Sequence, residues 1–140
     1  MTKMIVAFIC THNACRSQIA EALAKHAGIN HCEFYSAGSI PDNVIDPNAV
    51  RIMKDHFNID MSSQYPKTVD DIPMPDIAIS MGCGVKCPYI GRSFDDDWGL
   101  EDPMGKSDDD YLAVITKIQP HVNQLSALIQ AEKTRKKTDH

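Results

Sequence analysis

Apolar positions along the chain follow two patterns that alternate. The run Met4-Ile-Val-Ala-Phe-Ile9 has almost no polar interruption, so residues 3–9 predict a parallel strand covered on both faces. The spacing then changes: Ile19, Leu23 and Ala27 share one helical face, with Ala20 and Ala22 beside it. This predicts a helix that starts near Arg16 and stops at Gly28. Cys32-Glu-Phe-Tyr-Ser-Ala37 predicts a second strand, ended by Gly38. Asp46-Pro47 opens the next helix with an N-cap residue and a first-turn proline, and Ala49, Val50, Met53 and Phe57 form its stripe. Thr68 and Asp71 are placed to cap a short turn that Pro73 stops. Asp76-Ile-Ala-Ile-Ser-Met81 predicts a third strand. From Gly82 to Lys106 the pattern is irregular, with a short fourth strand expected near Arg92–Phe94. Ser107 and three aspartates suit the start of a last helix, striped by Ile115, Ile118, Val122, Leu125 and Ile129. Pro120 falls inside that stripe and is expected to kink or interrupt it, since a helix-interior proline costs about 3 kcal/mol.

Strands alternating with helices predict the α/β class: a four-stranded parallel sheet with helices on both faces. Residues 1–132 are expected to form one domain and residues 133–140 a frayed tail that carries the basic cluster Lys133 to Lys137. In such sheets ligands bind beyond the carboxyl ends of the strands. Cys10 and Met81-Gly-Cys83 both follow such ends.

Composition narrows the classes of function. The chain has 140 residues, 43% of them hydrophobic, and a net charge of −5, which argues against a nucleic-acid partner. No apolar run approaches the roughly 20 residues of a membrane span, so no membrane contact is expected. The N-terminal run is too short and poorly flanked for a secretory signal and leads directly into Cys10. A cytoplasmic protein, expected as a monomer, follows. Five cysteines, Cys10, Cys15, Cys32, Cys83 and Cys87, are an odd number, and in a reducing compartment they point to catalysis, redox chemistry or metal binding rather than structural disulfides.

The segment Cys10-Thr-His-Asn-Ala-Cys-Arg-Ser17 joins the first strand to the first helix. A loop there turns backbone N–H groups inward beside the positive end of a helix, which suits a tetrahedral oxyanion. The expected oxyanion contacts are Thr11, His12, Asn13, Ala14, Cys15 and Arg16. Arg16 can grip two oxygens with its planar fork. Cys10 is placed as the nucleophile in a field that favours a thiolate, and Ser17 as a hydrogen-bond donor to it. Asn13 tolerates left-handed backbone and can brace the loop through its amide. Cys15 and Cys32 are read as packing residues.

A second constellation is Cys83 and Cys87, in Met81-Gly-Cys-Gly-Val-Lys-Cys-Pro88. On a helix, residues four apart have Cβ atoms about 5–6 Å apart. A disulfide wants about 3.8 Å, so bridging would require the segment to unwind. Gly82, Gly84 and Pro88 make that inexpensive, and a reversible disulfide coupled to local movement is expected. A half zinc site lacks the usual second pair of ligands, so no metal or other cofactor is expected. Asp102, followed by Pro103, is the candidate general acid, although the sequence does not separate it from Asp95, Asp96, Asp97 and Glu101.

These residues together resemble the low-molecular-weight tyrosine phosphatase family and, within it, the thioredoxin-coupled arsenate reductases. The family loop Cys-x-Gly-Asn-x-Cys-Arg-Ser is matched by Cys10, Asn13, Cys15, Arg16 and Ser17. Tyr35-Ser-Ala-Gly38, Asp46-Pro-Asn-Ala-Val50 and Asp102-Pro103 are similar to further family signatures. The resemblance implies a three-cysteine relay. In it Cys10 attacks arsenate, Cys83 attacks Cys10 as arsenite leaves, and Cys87 attacks Cys83 to give a disulfide that thioredoxin reduces. The alternative is a phosphatase that hydrolyses phosphotyrosine or a small phosphomonoester through phosphorylated Cys10. A non-catalytic oxyanion-binding or redox-sensing module is the third reading. His12 departs from the family glycine, so a change in the loop's turn or rim is expected. Some members hold potassium near residues that match Asn13, Glu21 and Ser36, with a further aspartate; here Lys67 falls near that aspartate, and its ammonium is expected to take the ion's place.

Overall fold

The computed structural model of the chain describes residues 3–82, 90, 91 and 93–138. Cys83 and Cys87, the expected redox pair, therefore lie outside the described residues, as does Arg92 at the start of the expected fourth strand.

The central strand β1 (Met4–Ile9) is buried along nearly all its length because both its edges and both its faces are used. It pairs in parallel with β2 (Cys32–Ala37) on one side and with β3 (Ile77–Ser80) on the other. A two-residue strand β4 (Asp96–Asp97) pairs with β3, giving a four-stranded parallel sheet in the order β2-β1-β3-β4. The register aligns Ile9 with Ala37 and Ser80, and Ser80 with Asp97. All four strands thus end in one row, and the segments after them share one edge.

Strand alternation divides the core. Val6, Phe8, Phe34, Ile77 and Ile79 face a large cluster with side chains of α1 (Arg16–His26), α2 (Pro47–Phe57) and α3 (Asp108–Thr138). Ala7, Ile9, Ala37 and Ala78 face the other way, against Ile90, Val69, Ile72 and Phe94.

The helix ends follow their local chemistry. Asp46 caps α2 through Oδ1, which accepts the Asn48 N–H, and Pro47 occupies the first turn. Gly28 takes a positive φ of 70° just past α1. Thr68 and Asp71 form a reciprocal capping box around the 3-10 turn Val69–Asp71.

Two expectations are corrected. The fourth strand lies at Asp96–Asp97 rather than near Arg92–Phe94. Asp95 sets its position: its N–H donates to the Ala78 carbonyl while its Oδ2 accepts the Ala78 N–H. Backbone pairing at this edge outweighs the polar character of the side chains, and Phe94 packs on the sheet's second face instead. Pro120 does not interrupt the last helix, because α3 runs continuously from Asp108 to Thr138. Burial of Ile115, Ile118, Val122 and Leu125 on both sides of the proline offsets its missing N–H. The helix passes Lys133, where the tail was expected to start, and Arg135 pairs with Glu132.

Candidate active site

The Cys10–Ser17 loop is shaped by the chain that surrounds it. Its carbonyls are anchored outward: Thr11 O accepts from Ile40 N, His12 O from Asp42 N, and Ala14 O from Asp46 N, at 2.9–3.0 Å. The Asn13 carbonyl accepts from Gln18 Nε2 at 3.0 Å. A planar trans peptide points its N–H opposite to its carbonyl, so the amides of His12, Asn13, Ala14 and Cys15 turn away from those anchors. One of them, Asn13 N–H, reaches Cys10 Sγ at 3.3 Å. Gly38 allows this close seating, since a Cβ there would lie 2.4 Å from the Thr11 carbonyl oxygen.

Cys10 is buried, with its sulfur 2.9 Å from Ser17 Oγ. Ser17 Oγ accepts from Asn13 Nδ2 at 2.8 Å, and toward a sulfur without its proton the Ser17 hydroxyl is the donor. Asn13 holds φ at 52°, the left-handed backbone its residue type tolerates. Neighbouring Cys15 is held as a neutral thiol: burial pushes its proton affinity up, and the Asp46 and Asp102 carboxylates add to the effect.

Arg16 crosses to the far side of the site. Its Nη1 donates to Met81 O at 3.2 Å and to Leu100 O at 2.8 Å. Those carbonyls belong to the segments that follow β3 and β4. Gly82 packs so closely on the second segment that a Cβ would sit 2.6 Å from Leu100 N. Trp98 anchors the base of that segment, with its ring 5.4 Å from Phe8 and stacked on His121 at 4.7 Å.

Between these walls lies a cleft of about 770 Å³ lined by residues that include Thr11, His12, Arg16, Gly82, Asp102 and Lys106. Asp102 Oδ1 accepts the Met104 N–H, which orients the carboxyl at the rim. Among the acidic neighbours, Asp97 and Glu101 also line the cleft, whereas Asp95 Oδ2 is engaged by the backbone of β3. His12 keeps an ordinary negative-φ backbone, so the loop's turn does not need glycine there; only the rim changes.

Behind the loop is a buried charged cluster. Ser36 Oγ donates to Glu21 Oε1 at 2.6 Å, Lys25 Nζ reaches Glu21 Oε2 at 2.6 Å, and Lys67 Nζ lies 3.8 Å from Glu21 Oε1. Lys67 Nζ also donates to Tyr65 O at 2.8 Å. Burial lowers the proton affinity of Lys67, with Glu21 acting against that shift.

Sequence reasoning missed three contributors. Gln18 is buried and also donates to Asn13 Oδ1 and Tyr65 O. Its signal was a polar residue on an otherwise apolar helix face. The buried Tyr111 hydroxyl donates to Asp46 Oδ2, joining α3 to the segment that anchors Ala14. Lys106, in the cleft wall, carried no distinguishing signal.

The sequence pattern described as low molecular weight phosphotyrosine protein phosphatase matches residues 5–136. A protein of Synechocystis sp. named glutaredoxin arsenate reductase is 33% identical over 129 residues, 89% of this chain and 97% of that one. An arsenate reductase solved in its phosphate-binding state superposes with a TM-score of 0.79 at 33% identity, covering 90% of this chain and 98% of its own. The thioredoxin-dependent arsenate reductase of Corynebacterium glutamicum gives 0.71 at 34% identity, over 93% of this chain and 63% of its own.

Proposed function

The chain belongs to the low molecular weight phosphotyrosine protein phosphatase family, and from that premise we propose that it reduces arsenate to arsenite by a three-cysteine relay recycled by thioredoxin. The observation that carries this reading is the junction at Arg16. One guanidinium nitrogen ties the oxyanion loop to the Met81 carbonyl, and Gly82 in the cleft wall is followed in sequence by Cys83. The arsenate reductases among its relatives support the reduction of arsenate, and the thioredoxin-dependent relative of Corynebacterium glutamicum supports the reductant.

In this reading Cys10 thiolate attacks arsenic(V), and Asp102 protonates the departing oxygen so that it leaves as water. The thiol-arsenate is held by Arg16 and the loop amides. Cys83 thiolate then attacks Cys10 Sγ; the S–As bond breaks with its electron pair on arsenic, which leaves as arsenic(III), and a Cys10–Cys83 disulfide forms. Cys87 thiolate attacks Cys83 and releases Cys10 as a thiolate, which the surrounding donors make a good leaving group. The Cys83–Cys87 disulfide takes two electrons from thioredoxin.

The phosphatase reading begins with the same thiolate attack. It is less well supported, since among the described residues no Phe, Tyr or Trp side chain lines the cleft to stack on a phenyl ring. Arsenate-dependent NADPH oxidation with thioredoxin and thioredoxin reductase, run beside a glutaredoxin arm and p-nitrophenyl phosphate hydrolysis, tests the choice. Turnover is expected with thioredoxin and should vanish in Cys10→Ser, Cys83→Ser and Cys87→Ser. Any phosphatase activity should vanish only in the first. Sustained turnover by Cys87→Ser would overturn the relay.

A further inference from the structure

We propose that the His12 side chain is a proton-dependent contact for the oxyanion site: an imidazolium at the mouth of the Cys10 loop that tightens capture of a tetrahedral dianion and, on losing its proton, relaxes it. The proposal rests on the reading of that loop as an oxyanion site.

One hydrogen bond holds the ring, and two more hold the backbone that carries it. Ile40 N donates to Thr11 O and Asp42 N to His12 O, both at 3.0 Å, and His12 Nδ1 lies 3.0 Å from Ile40 O. A carbonyl oxygen only accepts, so Nδ1 carries a hydrogen whether the ring is neutral or charged. Nε2 is then the nitrogen that gains and loses the proton. The side chain is 52% exposed and lines the same cleft as Arg16 and Asp102, so solvent protons reach it and its charge reaches the cleft. Asp42 Oδ1 lies 3.8 Å from Nδ1. The ring is therefore held in place by bonds that survive in both states, while its charge is free to change.

The groups around the cleft isolate the effect. Asp42 comes from the segment after β2; Asp97, Glu101, Asp102 and Lys106 from the segment after β4; Cys10 and Arg16 from the loop itself. Carboxylates, ammonium and guanidinium groups as classes titrate outside the range of about pH 5.5 to 8, whereas histidine changes charge within it. Among the described residues the Cys10 thiol is the competing group, and a serine replacement removes it; Cys83→Ser and Cys87→Ser in the same background remove the two thiols that follow Gly82 in sequence.

Sulfate is a suitable probe because it stays a dianion throughout this range. In a Cys10→Ser background, calorimetric titration should show sulfate affinity rising about three- to tenfold from about pH 8 to about pH 5.5, the effect of one added charge in a solvated cleft. His12→Asn keeps an amide donor for Ile40 O without a titrating group and should abolish the rise. Asp42→Asn should move its midpoint to lower pH. By reciprocity, saturating sulfate should raise the midpoint of the His12 ring resonance by the logarithm of the same factor. A pH response that persists in His12→Asn, or a ring midpoint that sulfate leaves unmoved, overturns the assignment. Absence of sulfate binding at every pH overturns the oxyanion-loop reading beneath it.

Discussion

Asn13 Oδ1 accepts the backbone N–H of Lys67 at 2.8 Å, and this contact orients the amide that braces Ser17 beside Cys10. A backbone N–H only donates, so the oxygen of the amide must face Lys67 and its nitrogen must face Ser17. Gln18 Nε2 donates to the same oxygen at 2.9 Å and enforces the same choice. Ser17 receives that N–H, and its hydroxyl lies against Cys10 Sγ. A residue distant in sequence thereby decides which Asn13 atom faces Ser17.

Replacement of Asn13 should expose this chain of bonds. In Asn13→Ala the Ser17 hydroxyl loses its orienting donor, and Cys10 loses a directed bond of about 1.5–3 kcal/mol, the range for hydrogen bonds to charged groups. Cys10 alkylation by iodoacetamide at neutral pH should slow, and kcat/KM for arsenate should fall about 10- to 100-fold. Unchanged alkylation would show that Ser17 finds the sulfur unaided.

Lys67 bears on the ion dependence of the enzyme. Its ammonium lies beside Glu21, which also holds Ser36 and Lys25, so the buried carboxylate already has cationic partners. Exchange of potassium for sodium at constant ionic strength should leave arsenate turnover and thermal stability unchanged. Lys67→Ala should destabilise the protein by about 1–3 kcal/mol through the carboxylate left short of a partner. Turnover stimulated by potassium in the unmodified protein would contradict the substitution of ammonium for ion.

Gly82 lies in the cleft wall and precedes Cys83, the proposed redox cysteine, in sequence. It holds φ at 101°, and a Cβ would lie 2.6 Å from Leu100 N and 2.9 Å from Leu100 O. Gly82→Ala must therefore displace Leu100, whose carbonyl receives Arg16. We expect an activity loss of about 10- to 100-fold, as misplacement by about 1 Å is known to produce, accompanied by weaker phosphate binding. Full activity in that variant would mean that the wall yields without moving Arg16.

The Tyr111–Asp46 bond predicts a difference at alkaline pH. Burial, followed by the bond to Asp46, raises the proton affinity of the Tyr111 phenol. Its contribution to stability is present below the ordinary tyrosine value of about 10 and is lost as pH rises beyond it, because the unfolded chain gives up that proton first. Urea denaturation should find Tyr111→Phe less stable by about 1.5–3 kcal/mol at neutral pH. Between about pH 9 and 11 the variant should lose less stability than the parent, since it lacks the titrating phenol. Parallel losses would remove Tyr111 from the alkaline response.

Much of the molecule was legible in one dimension. The unbroken apolar run of β1, the 3–4 spacing of the helices, the Asp46-Pro47 cap and the strand-to-helix position of Cys10 all depend on neighbours along the chain. Local sterics and burial periodicity determine them, so the sequence by itself was enough for the parallel α/β sheet and for a nucleophile and arginine in one loop. The acidic edge strand β4 and the unbroken helix through Pro120 ran against their local signals. Pairing with β3 and the burial of flanking side chains outweighed preferences of a few kcal/mol. Ser17 and Asn13 beside Cys10 were legible, but the partners that position the loop were not: Lys67 and Gln18 orient Asn13, Ile40 and Asp42 hold the loop carbonyls, and Met81 and Leu100 receive Arg16. Each of these contacts joins separate segments through a hydrogen bond whose direction matters within a few tenths of an ångström. Residue types can nominate such partners, but only the folded arrangement decides which of them meet.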